Sequence, residues 1–178
     1  MSEEEKMAWE DYDGMNDPEV YVLLLLDETP ISRTRVQRLL LLANIKLDLG
    51  LEFFEGNSDD IEEALEYLRS AGFCRAYHGG YSLTEYGSNV RELASLQEFP
   101  RSLWIESIRR KAAEAVDKDL VAITAHYYPE ARNERTQYSV GIYAEHMCIN
   151  GTPLTEFPKD LFEKILGNKM LEITGRER

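Results

Sequence analysis

Residues 72–84 have the sequence GFCRAYHGGYSLT, and this stretch decides the predicted fold. Gly72 suits the left-handed position that ends a helix, because glycine has no Cβ to clash there. Residues 73–78 have the composition of a strand, and Gly79-Gly80 supplies the positive φ angles of a two-residue hairpin turn. Residues 81–83 then form the return strand. The stretch therefore predicts a helix that ends at a β-hairpin.

Helices are predicted on both sides of this hairpin. Thr84 caps a helix over residues 85–96. Upstream, Ser58 caps the helix that Gly72 ends, and two aspartates follow it in the first turn, where the helix dipole favours negative charge. Ser32 caps a further helix over residues 33–47, whose apolar positions follow the i, i+3, i+4 rhythm.

The first predicted helix precedes these three. Asp17 caps it, Pro18 occupies its first position, and an apolar run continues to Leu26. Pro30 disfavours a helical conformation at Thr29, so a turn separates this helix from the next. The predicted order is helix, short extended piece, helix, helix, hairpin, helix.

The same residues form a recognisable motif. Leu65-x-x-Leu68-x-x-x-Gly72-Phe73, followed by Tyr81-x-Leu83-Thr84-x-x-Gly87, resembles the pattern L-x-x-L-x-x-x-G-[LIF] … Y-x-L-T-x-x-G of small prokaryotic regulators. The multiple-antibiotic-resistance and phenolic-acid-regulator families share that pattern. Residues 34–40, TRVQRLL, are similar to the T-R-x-Q-K-L-L helix of small archaeal winged-helix proteins. The resemblance implies a winged helix–turn–helix domain. We expect Gly87 to let the last helix pack closely on the hairpin.

We therefore predict an α+β, mostly helical protein in three parts. Residues 1–16 are an acidic mobile tail, and residues 17–97 are the winged helix–turn–helix domain. Residues 98–178 are a helical or mixed C-terminal extension, with helices after Ser102 and Asp119 and strand-like composition over residues 138–149. By analogy with winged-helix regulators, this extension is the candidate region for a homodimer contact.

The resemblance also implies a way of binding DNA. In such families the third helix enters the major groove and the hairpin contacts the flanking backbone. The leading functional prediction is a transcription-regulator-like protein that binds double-stranded DNA. Its candidate phosphate contacts are the basic residues of the second helix and the hairpin, namely Arg33, Arg35, Arg38, Lys46, Arg75 and His78.

The charge of the chain favours an alternative function. The net charge is −13, which excludes indiscriminate coating of nucleic acid. Residues 58–69, the third helix, hold five acidic side chains against one arginine, and a phosphate-lined groove repels such a surface. The arginines of the second helix would then form ion pairs with that helix. On this reading the chain is a winged-helix interaction module, a complex subunit or antitoxin-like protein, whose partner is a basic protein.

Other functions find little support in the sequence. It contains no phosphate-binding loop and no Gly-x-Ser-x-Gly motif, so we predict neither an enzyme nor a cofactor. His126, His146 and Cys148 lack the spacing of a metal site. The two cysteines form no disulfide framework, and the apolar run ending at Leu26 is too short to span a bilayer. We therefore expect a cytoplasmic protein without a membrane contact.

Overall fold

The computed structural model describes residues 1–54, 56–127, 147–149, 152–154 and 159–166. These residues form an α+β structure that is mostly helical. Its helices are α1 (Glu3–Asp13), α2 (Asp17–Leu25), α3 (Arg33–Leu47), α4 (Asp59–Ser70), α5 (Glu85–Gln97), α6 (Arg101–Lys111), α7 (Asp117–Tyr127) and α8 (Lys159–Leu166). Its strands are β1 (Ile31–Ser32), β2 (Cys74–Tyr77), β3 (Gly80–Leu83), β4 (Met147–Ile149) and β5 (Thr152–Leu154).

The chain divides into two compact units, and each combines separate stretches of sequence. The first unit consists of Met1–Val36 and Asp59–Ser107. The second consists of Gln37–Ser58 and the residues from Ile108 onward. Helix α3 begins in the first unit and continues into the second. The division therefore differs from the predicted boundary between residues 97 and 98.

The core of the first unit is built around helix α2. Every residue from Val20 to Leu25 is buried, as is Leu26 after it, because α4 and α5 both pack against this helix. Helix α2 begins one residue earlier than predicted. Asn16, rather than Asp17, is its N-cap, and the side chains of Asn16 and Glu19 form a reciprocal capping box.

A three-stranded antiparallel sheet of order β1-β3-β2 completes the first unit. The hairpin turn lies at His78 and Gly79, with φ angles of 49° and 77°, one residue earlier than the predicted Gly79-Gly80. Gly80 instead pairs with Tyr77 as the first residue of β3. A Cβ on Gly80 would lie 2.9 Å from the Cβ of Pro30, so packing explains this second glycine.

The close approach predicted for Gly87 is confirmed. A Cβ on this residue would lie 1.8 Å from the carbonyl oxygen of Phe73, which directly precedes β2. The cap predicted at Thr84 is also confirmed, because its hydroxyl accepts a hydrogen bond of 3.0 Å from the backbone N–H of Gly87. The same hydroxyl donates to the carbonyl of Gly72 at 2.7 Å, so one side chain links the end of α4 to the start of α5.

The N-terminal residues differ from the predicted mobile tail. Residues 3–13 form helix α1, whose first turn is closed by a capping box between Ser2 and Glu5. Ala8 is buried, and α1 contacts α5. The acidic composition suggested a solvated tail, whereas a Ser-x-x-Glu pattern is itself the signature of a helix N-terminus.

The second unit contains most of α3 together with α7, α8 and the pair β4-β5. The described residues after residue 97 include both helices and strands. Ser102 lies inside α6 and does not cap it, because its hydroxyl donates to the carbonyl of Ser95 at 2.6 Å. The strand-like stretch was predicted over residues 138–149; residues 138–146 lie outside the described residues, and β4 covers the last three.

Candidate functional site

Helix α4 is the third helix of the predicted domain, and it is amphipathic. Its buried stripe contains Ile61, Ala64, Leu65 and Leu68. The opposite face is exposed to solvent and strongly acidic. That face carries Asp59, Asp60, Glu63, Glu66, Tyr67 and Arg69, which we call the α4 face.

Ser58 does not cap α4 through its hydroxyl, contrary to the prediction. Its Oγ is buried and has no hydrogen-bond partner among the described residues. Instead the side chain of Gln37 binds the Ser58 backbone twice. The Gln37 Nε2 donates to the Ser58 carbonyl at 3.0 Å, and the Ser58 N–H donates to the Gln37 Oε1 at 2.9 Å. Gln37 is 1% exposed, so its buried amide fixes the backbone of Ser58, the residue before α4.

Arg33 is held by two neighbours within the first unit. Its Nη2 donates a hydrogen bond of 2.7 Å to the hydroxyl of Tyr81, and its guanidinium lies over that ring. Its Nε lies 3.2 Å from a carboxylate oxygen of Glu62 on α4. The hydrogen bond to Tyr81, followed by the charge of Glu62, raises the pKa of Arg33. This predicted phosphate contact is therefore an ion-pair partner of α4.

The basic residue of the α4 face is also paired. Arg69 binds Glu66 on the preceding turn through two hydrogen bonds, one of them 3.2 Å from Nε to Oε2. The hydrogen bond and charge of Arg69 lower the pKa of Glu66. With the charge of Arg69 offset in this way, Asp59, Asp60 and Glu63 leave the α4 face negative.

Arg38 is buried and cannot reach a phosphate in this conformation. Its side chain is 4% exposed, and its Nη1 donates to the Thr124 hydroxyl at 3.2 Å within the second unit. Burial lowers the pKa of Arg38 to about 10. Arg38 lies off the i, i+3, i+4 stripe of α3, which favours a surface position, but every residue of this helix from 36 to 43 is buried, so that its polar side chains are interior as well.

Lys46 lies in the second unit, near the end of α3, and it is half-buried. Burial, together with the positive charge of Lys111, lowers its pKa.

Arg35 is half-buried in the first turn of α3, where its backbone N–H donates to the Ser32 hydroxyl at 3.0 Å. This bond confirms Ser32 as the cap of α3.

The hairpin carries the remaining two predicted residues. Arg75 on β2 and His78 in the turn are both exposed. Tyr77 is 68% exposed, and its ring meets the His78 ring edge-on with centroids 4.0 Å apart. Among the predicted phosphate contacts, Arg33 thus belongs to an ion pair and Arg38 is interior, whereas Arg75 and His78 are exposed on the hairpin.

The sequence reasoning did not single out Tyr67 and Tyr77 as surface residues. Tyr67 is 38% exposed on the α4 face, and its ring lies 6.2 Å from that of Phe73. The exposure of Tyr67 could be predicted from helical periodicity, since this residue lies off the apolar stripe of α4. Exposed tyrosines beside charged groups are typical of protein interfaces, where they offer both apolar area and a polar group.

No group of three or more potential metal ligands occurs among the described residues, and His146 and the side chains of His126 and Cys148 lie outside them. Within the same part of the chain, no helix combines the length and apolar character needed to cross a bilayer. Comparisons of the chain with protein-family models, curated proteins and solved structures gave no match.

Proposed function

We propose that this chain is a winged-helix protein that binds a basic protein partner through the α4 face. The element order supports the winged helix: α2, β1, α3 and α4 are followed by the hairpin β2-β3. The short strand β1 pairs with β3, which gives the sheet order β1-β3-β2 and adds the strand before the second helix to the hairpin.

The charge of the α4 face supports a protein partner rather than DNA. The helix begins with Asp59 and Asp60, at the end that would approach bases in the major groove. Carboxylates there meet phosphate repulsion on both sides of the groove. A lysine- or arginine-rich protein surface meets attraction instead, and such complementarity speeds association and selects partners.

The observation that carries the proposal is the ion pair between Arg33 and Glu62. A phosphate contact needs an arginine that is available to the ligand, whereas Arg33 already binds a carboxylate at 3.2 Å and a tyrosine hydroxyl at 2.7 Å. Together with the burial of Arg38, this removes two of the phosphate contacts predicted on helix α3. An interaction module needs no such contacts.

The first test is binding to a mixed-sequence duplex, followed by fluorescence anisotropy at about 50 mM salt, where electrostatic binding to DNA is strong. We expect no binding to the duplex. Salt-dependent binding that is lost in Arg75→Gln would contradict the proposal and support the regulator function.

The second test compares partner capture from cell extract by three forms of the protein. The variant Asp60→Asn/Glu63→Gln removes two charges from the α4 face. The control Glu3→Gln/Glu10→Gln removes two exposed charges from α1. We expect one set of basic proteins on the wild type and the control but not on the α4 variant. Equal capture by all three forms, or none by any, would contradict the proposal.

DNA binding is the second candidate function, and the hairpin supports it. Arg75 and His78 are exposed, and neither makes an ion pair with any residue in the described part of the chain. A hairpin with these two groups suits a contact with the phosphate backbone.

Self-association through residues 98–178 and a cytoplasmic location stay predictions. Sedimentation of the purified protein tests the self-association.

A further inference from the structure

A groove of about 1250 Å³ lies along helices α1 and α5 of the first unit. Its apolar lining includes Met7 and Trp9 from α1 and Tyr86 and Leu93 from α5. Met7 is 54% and Trp9 38% exposed, so apolar surface is presented to solvent here. Methionine adapts its shape to different partners, and tryptophan is enriched where proteins bind one another. The groove thus has the composition of a docking surface.

The charged lining of the groove is dominated by carboxylates. Glu4 and Glu5 come from α1, and Glu85 and Glu92 come from α5. Arg75 is the basic side chain among the lining residues. Both helices thus present apolar side chains next to acidic ones. Such a surface is complementary to a helix whose apolar stripe is flanked by lysine or arginine.

The walls of the groove are held together before any ligand arrives. The Tyr86 hydroxyl donates a hydrogen bond to the carboxylate of Asp11, so α5 is joined to α1. Further along, the Tyr12 hydroxyl donates to a carboxylate oxygen of Glu98 at 2.7 Å. The Tyr86 ring also stacks on Phe73 with centroids 5.6 Å apart. A surface that is already ordered loses less entropy on binding, which favours affinity.

We propose that this groove binds a basic amphipathic helix from a protein partner. Its volume exceeds the range of about 300–1,000 Å³ that is typical of small-molecule pockets, so a polypeptide is the better match. Both walls are helices, and the ridges of a third helix can pack between them. The apolar face of that helix would contact Trp9, Met7 and Leu93, and its basic residues would approach the four glutamates.

Charge argues against two other occupants of the groove. A second copy of this chain carries a net charge of −13 and would bring further carboxylates to an acidic rim. An anionic membrane surface would be repelled in the same way. The proposal goes beyond the α4 face, because none of the residues of that face lines the groove as described here.

The test uses the full chain with Trp104→Phe, which leaves Trp9 as the fluorescent reporter, since the chain has two tryptophans. The probe is a synthetic peptide of about 12 residues with leucine at i, i+3, i+4 and i+7 and lysine elsewhere. A scrambled peptide of the same composition has no apolar face and serves as the control. We expect a saturable change in Trp9 emission with the amphipathic peptide alone.

Charge variants locate the binding on the protein. Glu4→Gln/Glu92→Gln removes two carboxylates from the groove, and we expect the Kd for the peptide to rise about 5- to 10-fold, as for two partly exposed charge contacts. Glu3→Gln/Glu10→Gln removes the same charge from exposed positions outside the lining, and its Kd should stay within about 2-fold of the wild type. Circular dichroism should show the same helical content in both variants as in the wild type.

Two results would overturn the groove proposal: equal binding of the scrambled peptide, or equal weakening by the two charge variants. Either would mean that the peptide binds the acidic surface in general. The variant Asp60→Asn/Glu63→Gln separates this proposal from that for the α4 face, because it should bind the peptide as the wild type does. Loss of peptide binding in that variant would assign the peptide to the α4 face and contradict the groove.

Discussion

The Nε of Arg33 lies 3.2 Å from the carboxylate of Glu62, and this pair joins the first turn of α3 to α4. The side chains are 58% and 35% exposed, so water screens much of their attraction. The contact therefore adds little to the stability of the fold, but it changes the surface that a partner would meet. The charge of Arg33, predicted to bind phosphate, is balanced by the charge of Glu62.

A double-mutant cycle measures this pair directly. We expect Arg33→Gln and Glu62→Gln to couple by about 0.2–1 kcal/mol in urea unfolding, the range of solvent-exposed ion pairs. The coupling should fall as salt is raised, because ions screen exposed charges. A coupling above about 3 kcal/mol would mean that the pair is buried, which is at odds with its exposure.

Substitution of Gly87 should destabilise the first unit strongly. A Cβ there would lie 1.8 Å from the carbonyl oxygen of Phe73, and a backbone atom cannot move aside without displacing the hairpin. We expect Gly87→Ala to lower the free energy of unfolding by about 3 kcal/mol, at the upper end for overpacked sites. Gly14→Ala is the control, because its Cβ would meet its nearest neighbour at 3.4 Å and its φ of −80° suits alanine. A similar urea midpoint for both variants would refute the close approach.

The buried amide of Gln37 should be indispensable for the segment before α4. In Gln37→Leu the N–H and carbonyl of Ser58 each lose a hydrogen-bond partner. We expect a loss of about 2–6 kcal/mol, since each of the two unsatisfied buried groups costs about 1–3 kcal/mol. Gln97→Leu, at an exposed position near the end of α5, should change stability by less than about 0.5 kcal/mol. Equal unfolding curves for the two variants would show that the interior amide contributes nothing.

Cys74 should make stability fall with alkaline pH. Burial raises the pKa of its thiol from 9.0 to about 11, because the thiolate is poorly solvated inside the protein. Between these values the unfolded chain has lost the thiol proton and the folded chain retains it. The contribution of Cys74 to the free energy of unfolding is therefore complete below pH 9 and is lost as the pH rises toward 11. Relative to Cys74→Ala, the wild type should lose about 1.4 kcal/mol per pH unit in this window. Parallel stability curves for the two proteins would contradict the shift.

The elements of the first unit were predictable where a local signal determines them. Gly72, Thr84 and Gly87 each have one conformational or steric task, and the structure assigns each the predicted one. The turn lies one residue before the predicted one because His78 adopts the positive φ expected of a glycine, and Gly80 belongs to β3. The contact that Gly80 makes with a residue distant in sequence has no such local signal.

The candidate site was less predictable because it depends on contacts between distant residues. The sequence supplied the charges of Arg33 and Glu62, and the alternative of an ion pair was foreseen, but only coordinates select between pairing and exposure. Arg38 was misassigned because an arginine is rarely interior. The acidic composition of residues 1–16 favours a solvated tail, whereas the capping box of Ser2 and Glu5 starts helix α1.

The burial of α2 has a consequence for synthesis on the ribosome. Its apolar residues, Val20–Leu26, are synthesised before the helices that cover them, which are completed only at Ser70 and Gln97. At translation rates of about 5–20 residues per second, roughly 4–14 s pass between the synthesis of Leu26 and that of Gln97, the end of α5. During that interval the nascent chain displays seven consecutive apolar residues, which is the kind of segment that chaperones retain. Slow codons between residues 26 and 97 should therefore lower the yield of native protein.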